Sequence, residues 1–210
     1  MSTLVVNLDQ RIKTNPRYTH STVTEYFANS KLDWWNPTNK YYAQQTNIIE
    51  NWLEKISPKD ILELGAGFGR ISQLLDKLPR VNLTLVDINK KALNILKQEF
   101  PHRQIINSDI NSFLSKKNKY DLLVAIELLV HIPNIEKLIQ GVYNSLRKNG
   151  TLITSITPDS WYEANWPRKP TIHRGINEKE LNDFVSKFFN IVEVNRSSNN
   201  QLITYLLKRK

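Results

Sequence analysis

The 210-residue sequence contains no cysteine. That absence excludes disulfides, thiolate metal sites, iron–sulfur clusters and any mechanism built on a thiol nucleophile. No stretch approaches the roughly 18 apolar residues that span a bilayer as a helix. The segment Met1 to Gln10 lacks the basic, apolar and small-residue order of a secretory leader. A soluble, cytoplasmic protein is expected. Internal repeats and low-complexity tracts are also missing. Acidic residues are outnumbered, 20 against 29 Lys and Arg, for a net charge of +9. Nucleic acid, anionic membrane and acidic metabolites all suit such a surface. The excess is dispersed: residues 1–60 carry 7 basic and 6 acidic groups, residues 61–150 carry 13 and 8, and residues 151–210 carry 9 and 6. The sharpest run, Lys116-Lys117-Asn118-Lys119, precedes an expected strand and reads as a solvated turn.

What is present is a core-forming sequence. Apolar residues make up 40%, with seven Phe, eight Tyr and five Trp, enough for one domain with a small appendage. Residues 1–56 form an N-terminal extension. It has an irregular start, and its best helix runs from Asn39 to Ile56, with Tyr41, Tyr42, Ile48, Ile49, Trp52, Leu53 and Ile56 on one broad face. Ser57-Pro58-Lys59-Asp60 breaks it, and residues 57–210 form the main domain.

Within that domain apolar strand-like runs alternate with helical pieces. The runs are Ile61–Leu64, Leu83–Val86, Gln104–Ile106, Leu122–Ile126 and Thr151–Ile156. The helices are Arg70–Leu78, Lys90–Phe100, a turn near Ile110–Leu114, and Ile135–Arg147, the last stopped by Asn149-Gly150. Such alternation specifies a parallel sheet with right-handed crossovers. The ending differs: helix Glu178–Phe188 leads into Ile191–Val194 and Gln201–Leu207, joined only by Asn195 to Asn200. So short a connection allows only an antiparallel pair.

The strongest local signal is Ile61-Leu62-Glu63-Leu64-Gly65-Ala66-Gly67-Phe68-Gly69-Arg70. An apolar strand enters a glycine turn that opens a helix, where a ligand can approach the backbone closely. The spacing is Gly-x-Gly-x-Gly, not the Gly-x-Gly-x-x-Gly of dinucleotide sites. Asp87, 22 residues after Gly65, ends the next strand, where a carboxylate can accept hydrogen bonds from both ribose hydroxyls of a nucleoside. Asp109 follows the third strand. It can bind an adenine amino group with Ile110 against the ring, or cap the following helix, or do both.

Together these segments resemble the class I S-adenosylmethionine (SAM)-dependent methyltransferases of the small-molecule branch. Glu63 to Gly69 resembles the family's first motif, Asp87 its second-strand acid and Ser108-Asp109-Ile110 its adenine loop. Tyr120 to Pro133, with Glu127 and His131, is similar to its fourth-strand motif, and Leu146 to Leu152 to its entry into the fifth strand. The resemblance implies a Rossmann-like seven-stranded α/β sheet, mostly parallel with an antiparallel last strand, helices on both faces and an N-terminal helical lid. It implies SAM as cofactor, held by Glu63, Gly65, Ala66, Gly67, Gly69, Asp87, Ile88, Asp109, Ile110 and Glu127; Arg70, after the glycine turn, either faces the methionine carboxylate or is a surface residue at the helix start.

Methyl transfer from a sulfonium is an in-line displacement, so the protein aligns a nucleophile, excludes water and, where needed, removes a proton. His131 is the first candidate base, with a structural loop histidine as the alternative; His173 is the second. Trp161, Tyr162, Trp166, Arg168 and Arg174 follow the fifth strand and are the candidates for acceptor binding, as a lid or as a loop packed on the N-terminal helix. Trp34, Trp35, Tyr41 and Tyr42 lie where relatives place a helix over the cofactor, or simply cap the sheet. No metal site is expected. Pyrimidine C5 chemistry is excluded by the missing thiol, and the Glu127-Leu128-Leu129-Val130-His131 loop lacks the Asp/Asn-Pro-Pro-aromatic signature of base amino methylation. The expected function is methylation of an oxygen or nitrogen on a small, anionic or aromatic acceptor. An RNA methyltransferase and a non-catalytic SAM-binding partner of a complex are the rivals; a nucleic-acid partner is possible but not favoured.

Overall fold

A computed structural model describes residues 40–115, 119–165 and 175–210. Helix α1 (Lys40–Leu53) buries Gln45, Ile49, Trp52 and Leu53 on one face. Then come β1 (Asp60–Leu64), α2 (Ser72–Asp76), β2 (Asn82–Asp87), α3 (Lys90–Glu99), β3 (Gln104–Asn107) and α4 (Ile110–Leu114). The second half holds β4 (Tyr120–Ala125), a 3-10 turn (Leu129–His131), α5 (Ile135–Ser145), β5 (Leu146–Ile156), α6 (Asp159–Asn165), α7 (Glu178–Val185), β6 (Phe189–Arg196) and β7 (Ile203–Arg209).

The seven strands lie in the order β3-β2-β1-β4-β5-β7-β6. β1 to β5 pair in parallel, whereas β7 runs antiparallel to both β5 and β6. The expected Rossmann-like sheet and its antiparallel ending are both present. Strand side chains alternate between two cores, as the period of two requires. Leu62, Leu64, Leu123 and Ala125 pack with α4, α5 and α7 on one face. Ile61, Leu122 and Val124 pack with Ile49, Trp52 and Leu53 of α1, and with α2 and α3, on the other.

Caps that the sequence supplies set several helix starts. Asn89 caps α3 by accepting from the Lys91 and Ala92 amides at 2.9 and 3.1 Å. Asn134 and Asn177 do the same for α5 and α7. At the edge where the parallel strands begin, Arg147 forks between Asp60 at 2.7 Å and Asp121 at 2.9 Å. Asp121 also accepts the Lys59 and Asp60 amides at 3.0 and 2.9 Å. The entries of β1, β4 and β5 are thereby tied together.

Two sequence expectations need correction. The helix expected over Ile135–Arg147 ends at Ser145, and Leu146–Gly150 already belongs to β5, as an irregular stretch over which the pairing with β4 skips from Leu146 to Thr151. Asn149 and Gly150 are therefore not a helix stop; Asn149 takes a left-handed φ of 60° within β5. Leu146 pairs with Tyr120, and the Arg147 fork holds the segment beside β4, a tertiary pull that outweighs the local signal. The helix expected to open at Arg70 begins at Ser72, because Gly69, at φ 90°, still belongs to the turn.

Candidate functional site

The C-terminal tips of β2, β1 and β4 stand side by side where the strand order reverses, the place where open parallel sheets bind ligands in a crevice. Gly65, Gly67 and Gly69 all have φ between 52° and 90°, a region that side chains with a Cβ rarely occupy. Their surroundings differ. A Cβ on Gly65 would stand 3.0 Å from Leu128 Cδ1, and one on Gly69 3.1 Å from Phe100. A Cβ on Gly67 would meet nothing within 4 Å, so this residue faces open space. Two glycines let the turn pack; the third leaves room above it.

Asp87 locks the turn. Its Oδ2 accepts the Gly67 amide at 2.7 Å and its Oδ1 the Asn89 amide at 2.7 Å. Gly65 and Ala66 donate to the Val86 carbonyl at 2.8 and 3.2 Å. Each carboxylate oxygen keeps a second lone pair, so Asp87 can still accept two ligand hydroxyls. Burial raises its pKa above the ordinary carboxylate range, against the pull of the Asn89 and Gly67 amides. Beside it, Ser108 donates its amide to the Asp87 carbonyl at 3.2 Å, which joins the tips of β2 and β3. Asp109 caps α4 by accepting the Ser112 amide at 3.0 Å. Ile110 is half-buried against the α4 side of the core, and Ile88 is half-buried next to Asp87.

Beneath the turn lies a set of ionisable groups shielded from water. Glu63 is buried on the α2 face, where the Ser72 hydroxyl donates to it at 2.6 Å. Desolvation pushes its pKa up to about 8, although Ser72 and Arg70 oppose the shift. Arg70 donates to Gln45 Oε1 at 2.8 Å and to Thr46 Oγ1 at 3.0 Å, and lies 5.2 Å from the Tyr42 ring centroid. Its burial lowers its pKa, while Glu127 raises it.

Glu127 stands at the end of β4 with φ 54°. For a residue with a long side chain this conformation costs about 1–2 kcal/mol, and such strain gathers at functional sites. Ser155 fixes it twice: its hydroxyl donates to Glu127 Oε1 at 2.6 Å and accepts the Glu127 amide at 2.8 Å. Desolvation raises the Glu127 pKa, against Ser155, Arg70 and Gln45.

The structure thus brings Glu63, the glycine turn, Arg70, Asp87, Ile88, Asp109, Ile110 and Glu127 to one end of the sheet. His131 closes the 3-10 turn after β4 and is half-buried, its amide bonded to the Leu128 carbonyl at 2.9 Å. Trp161 is half-buried on α6, directly after β5. Tyr162 sits on the same helix, its side chain outside what is described. His173, Trp166, Arg168, Arg174, Trp34 and Trp35 lie outside the described residues. Among the described residues no cluster of three metal-ligating side chains occurs, and no helix is long and apolar enough to cross a membrane.

Sequence reasoning missed Gln45, Ser72, Ser155 and Thr204. Gln45 is 3% exposed and donates to Thr204 at 3.2 Å and toward Glu127 at 3.5 Å, while it accepts from Arg70. A glutamine at a core-facing helical position, between Tyr42 and Ile49, was the available signal.

A methyltransferase-domain family model matches residues 62–152. The ubiquinone biosynthesis O-methyltransferase of Coxiella burnetii is 26% identical over 140 residues, covering 61% of this chain and 58% of that protein. The chain thus spans 58% of the length of that curated relative. The magnesium protoporphyrin IX methyltransferase of Synechocystis PCC 6803, solved with bound S-adenosylhomocysteine, superimposes with a TM-score of 0.72 at 16% identity, over 91% of this chain and 100% of that one. The N-methyltransferase NodS of Bradyrhizobium japonicum WM9, solved with the same ligand, gives 0.70 at 18% identity over 93% and 99%. These structural likenesses carry the fold.

Proposed function

From the match of residues 62–152 to a methyltransferase-domain family model, we propose that this chain binds S-adenosylmethionine and transfers its methyl group to an oxygen or nitrogen of a small acceptor. One observation carries the reading: Asp87 clamps the Gly67 amide at 2.7 Å beside a glycine that faces open space, and keeps lone pairs for two hydroxyls. A nucleoside fits that arrangement. Its ribose hydroxyls bond Asp87, its base lies by Ile88, Asp109 and Ile110, and its amino-acid end reaches Gly65 to Gly69, with Glu63, Arg70 and Glu127 as the nearby ionisable groups.

The cofactor supplies the electrophilic methyl group and the leaving group. The chain aligns the acceptor in line with the methyl and keeps water away. His131, at the tip of β4, is the proposed base for a hydroxyl or ammonium proton, with His173 as its alternate. Trp161, Tyr162, Trp166, Arg168 and Arg174 are the proposed acceptor contacts. Residues 1–56 are the proposed lid over the domain formed by residues 57–210. The O-methyltransferase relative supports oxygen, and the N-methyltransferase neighbour is compatible with nitrogen.

The test has two stages. Calorimetric titration with SAM measures the donor site. A panel of small phenols, carboxylates and amines is then scored by release of S-adenosylhomocysteine. Donor binding in the micromolar range with turnover on one acceptor class is expected. No SAM binding by the folded protein refutes the reading.

A further inference from the structure

The charge that looks dispersed in the sequence is gathered by the topology. β1 to β6 all start at one edge of the sheet, and β7, running the other way, ends there. The residues entering the strands at that edge are Lys59, Arg80, Arg103, Lys119, Lys148 and Lys187. Lys208, Arg209 and Lys210 arrive with β7; Arg209 pairs with Phe189 and Lys208 with Thr151, which fixes them at the same level.

Carboxylates neutralise only part of this edge. Asp60 and Asp121 engage Arg147, and Asp76 engages Arg103 at 2.6 Å. Lys119, Arg209 and Lys210 donate to the carbonyls of Asn144, Leu146 and Ser186, which satisfies helix and strand ends but leaves their charge in place. Among the described residues Lys59, Arg80, Lys148 and Lys187 have no carboxylate within 4 Å, and all four are exposed. The opposite end holds the acidic side chains of the crevice, buried Glu63 and half-buried Asp87 and Glu127.

We infer that this basic edge docks on the phosphate backbone of a nucleic-acid duplex, without reading sequence and away from the crevice. Strands are spaced about 4.8 Å apart, so seven of them carry the cations across roughly 29 Å. That span matches about eight base pairs at 3.4 Å each. A membrane surface fits less well, because interfacial binders mix their cations with exposed apolar side chains. Among the described residues the exposed large apolar side chains are Ile191, Val192 and Val194, which lie along the outer strand β6 and not across the row of cations. The duplex is a docking partner and not the methyl acceptor, since its contacts lie at the other end of the strands.

The test is fluorescence anisotropy with a labelled DNA duplex of roughly 20 base pairs and a scrambled duplex of equal length. The expected result is equal affinity for both and a log–log salt slope of about −3 or steeper, as release of counterions from several phosphates requires. The triple variant K59E/K148E/K187E should bind at least about tenfold more weakly at low salt, with its melting temperature and S-adenosylhomocysteine affinity unchanged. Wild-type affinity in the triple variant overturns the inference. So does triple-sensitive binding to phosphatidylserine vesicles that excess duplex does not displace. Because S-adenosylhomocysteine binding is read separately, a failure here is distinct from a failure of the proposed activity.

Discussion

At the residue scale the site depends on a few groups held in costly states. Asp87 serves two masters, the turn and the proposed ribose. Asp87→Ala should lower SAM affinity at least tenfold, because charge-assisted hydrogen bonds contribute about 1.5–3 kcal/mol each. The amides of Gly67 and Asn89 lose their partner as well, so the melting temperature should fall too. Unchanged calorimetric affinity in the folded variant would remove Asp87 from the donor site. Gly67→Ala separates turn from ligand. Its Cβ meets no protein atom, so only backbone strain of about 1–2 kcal/mol burdens folding, while the methyl group enters the space assigned to the ligand; SAM binding should suffer more than thermal stability. Glu63 gives a pH prediction. Its folded pKa of about 8 lies above its unfolded 4.5, so its contribution to stability is complete below pH 4.5 and declines as pH rises to about 8. Within that window the slope reaches about 1.4 kcal/mol per pH unit. Glu63→Gln, which keeps an acceptor for Ser72, should flatten the fall in melting temperature between pH 5 and pH 8 in ligand-free protein. An unaltered slope means that Glu63 is ionised when buried.

At the element scale, α1 is joined to the crevice by Gln45, which reaches Arg70, Glu127 and Thr204 at once. Gln45→Leu should leave the Ile49, Trp52 and Leu53 packing in place yet strand Arg70 without its shortest partner. SAM affinity should drop several-fold with a small change in melting temperature; a large thermal loss with intact affinity would make Gln45 a packing residue only. The turn after β4 carries His131. His131→Ala should lower turnover roughly 10²-fold while SAM binding holds; an equal loss of both assigns it a structural role. These elements also show what the sequence discloses. β1, the glycine turn and Asp87 were legible because a strand, a turn and a carboxylate at a strand tip each leave a local pattern. The end of α5 was not, because the Arg147 fork to Asp60 and Asp121 spans 87 and 26 residues of sequence and overrides Asn149-Gly150. Gln45 and Thr204, 159 residues apart, were invisible for the same reason.

At the scale of the whole molecule, parallel alternation and one short polar connection anticipated a parallel sheet with an antiparallel pair at its end, while the placing of β7 between β5 and β6 left no local trace. The asymmetry of charge between its two ends was not, since no window of sequence shows which strand starts share an edge. The sheet order has one more consequence, for the making of the protein. β7 lies between β5 and β6, although it leaves the ribosome after both. Until it arrives, β6 has no neighbour and β5 presents a bare edge, the kind of surface that invites wrong pairing. A nascent chain halted before Ile203 is therefore expected to be protease-sensitive along its second half. The connection at Ser198 to Asn200 includes exposed residues and a left-handed Asn200, so a cut there yields a fragment with a strand-shaped vacancy. A separately synthesised peptide carrying the β7 sequence should fill that vacancy in trans, which would turn the last-made strand into a switch for reassembling the protein.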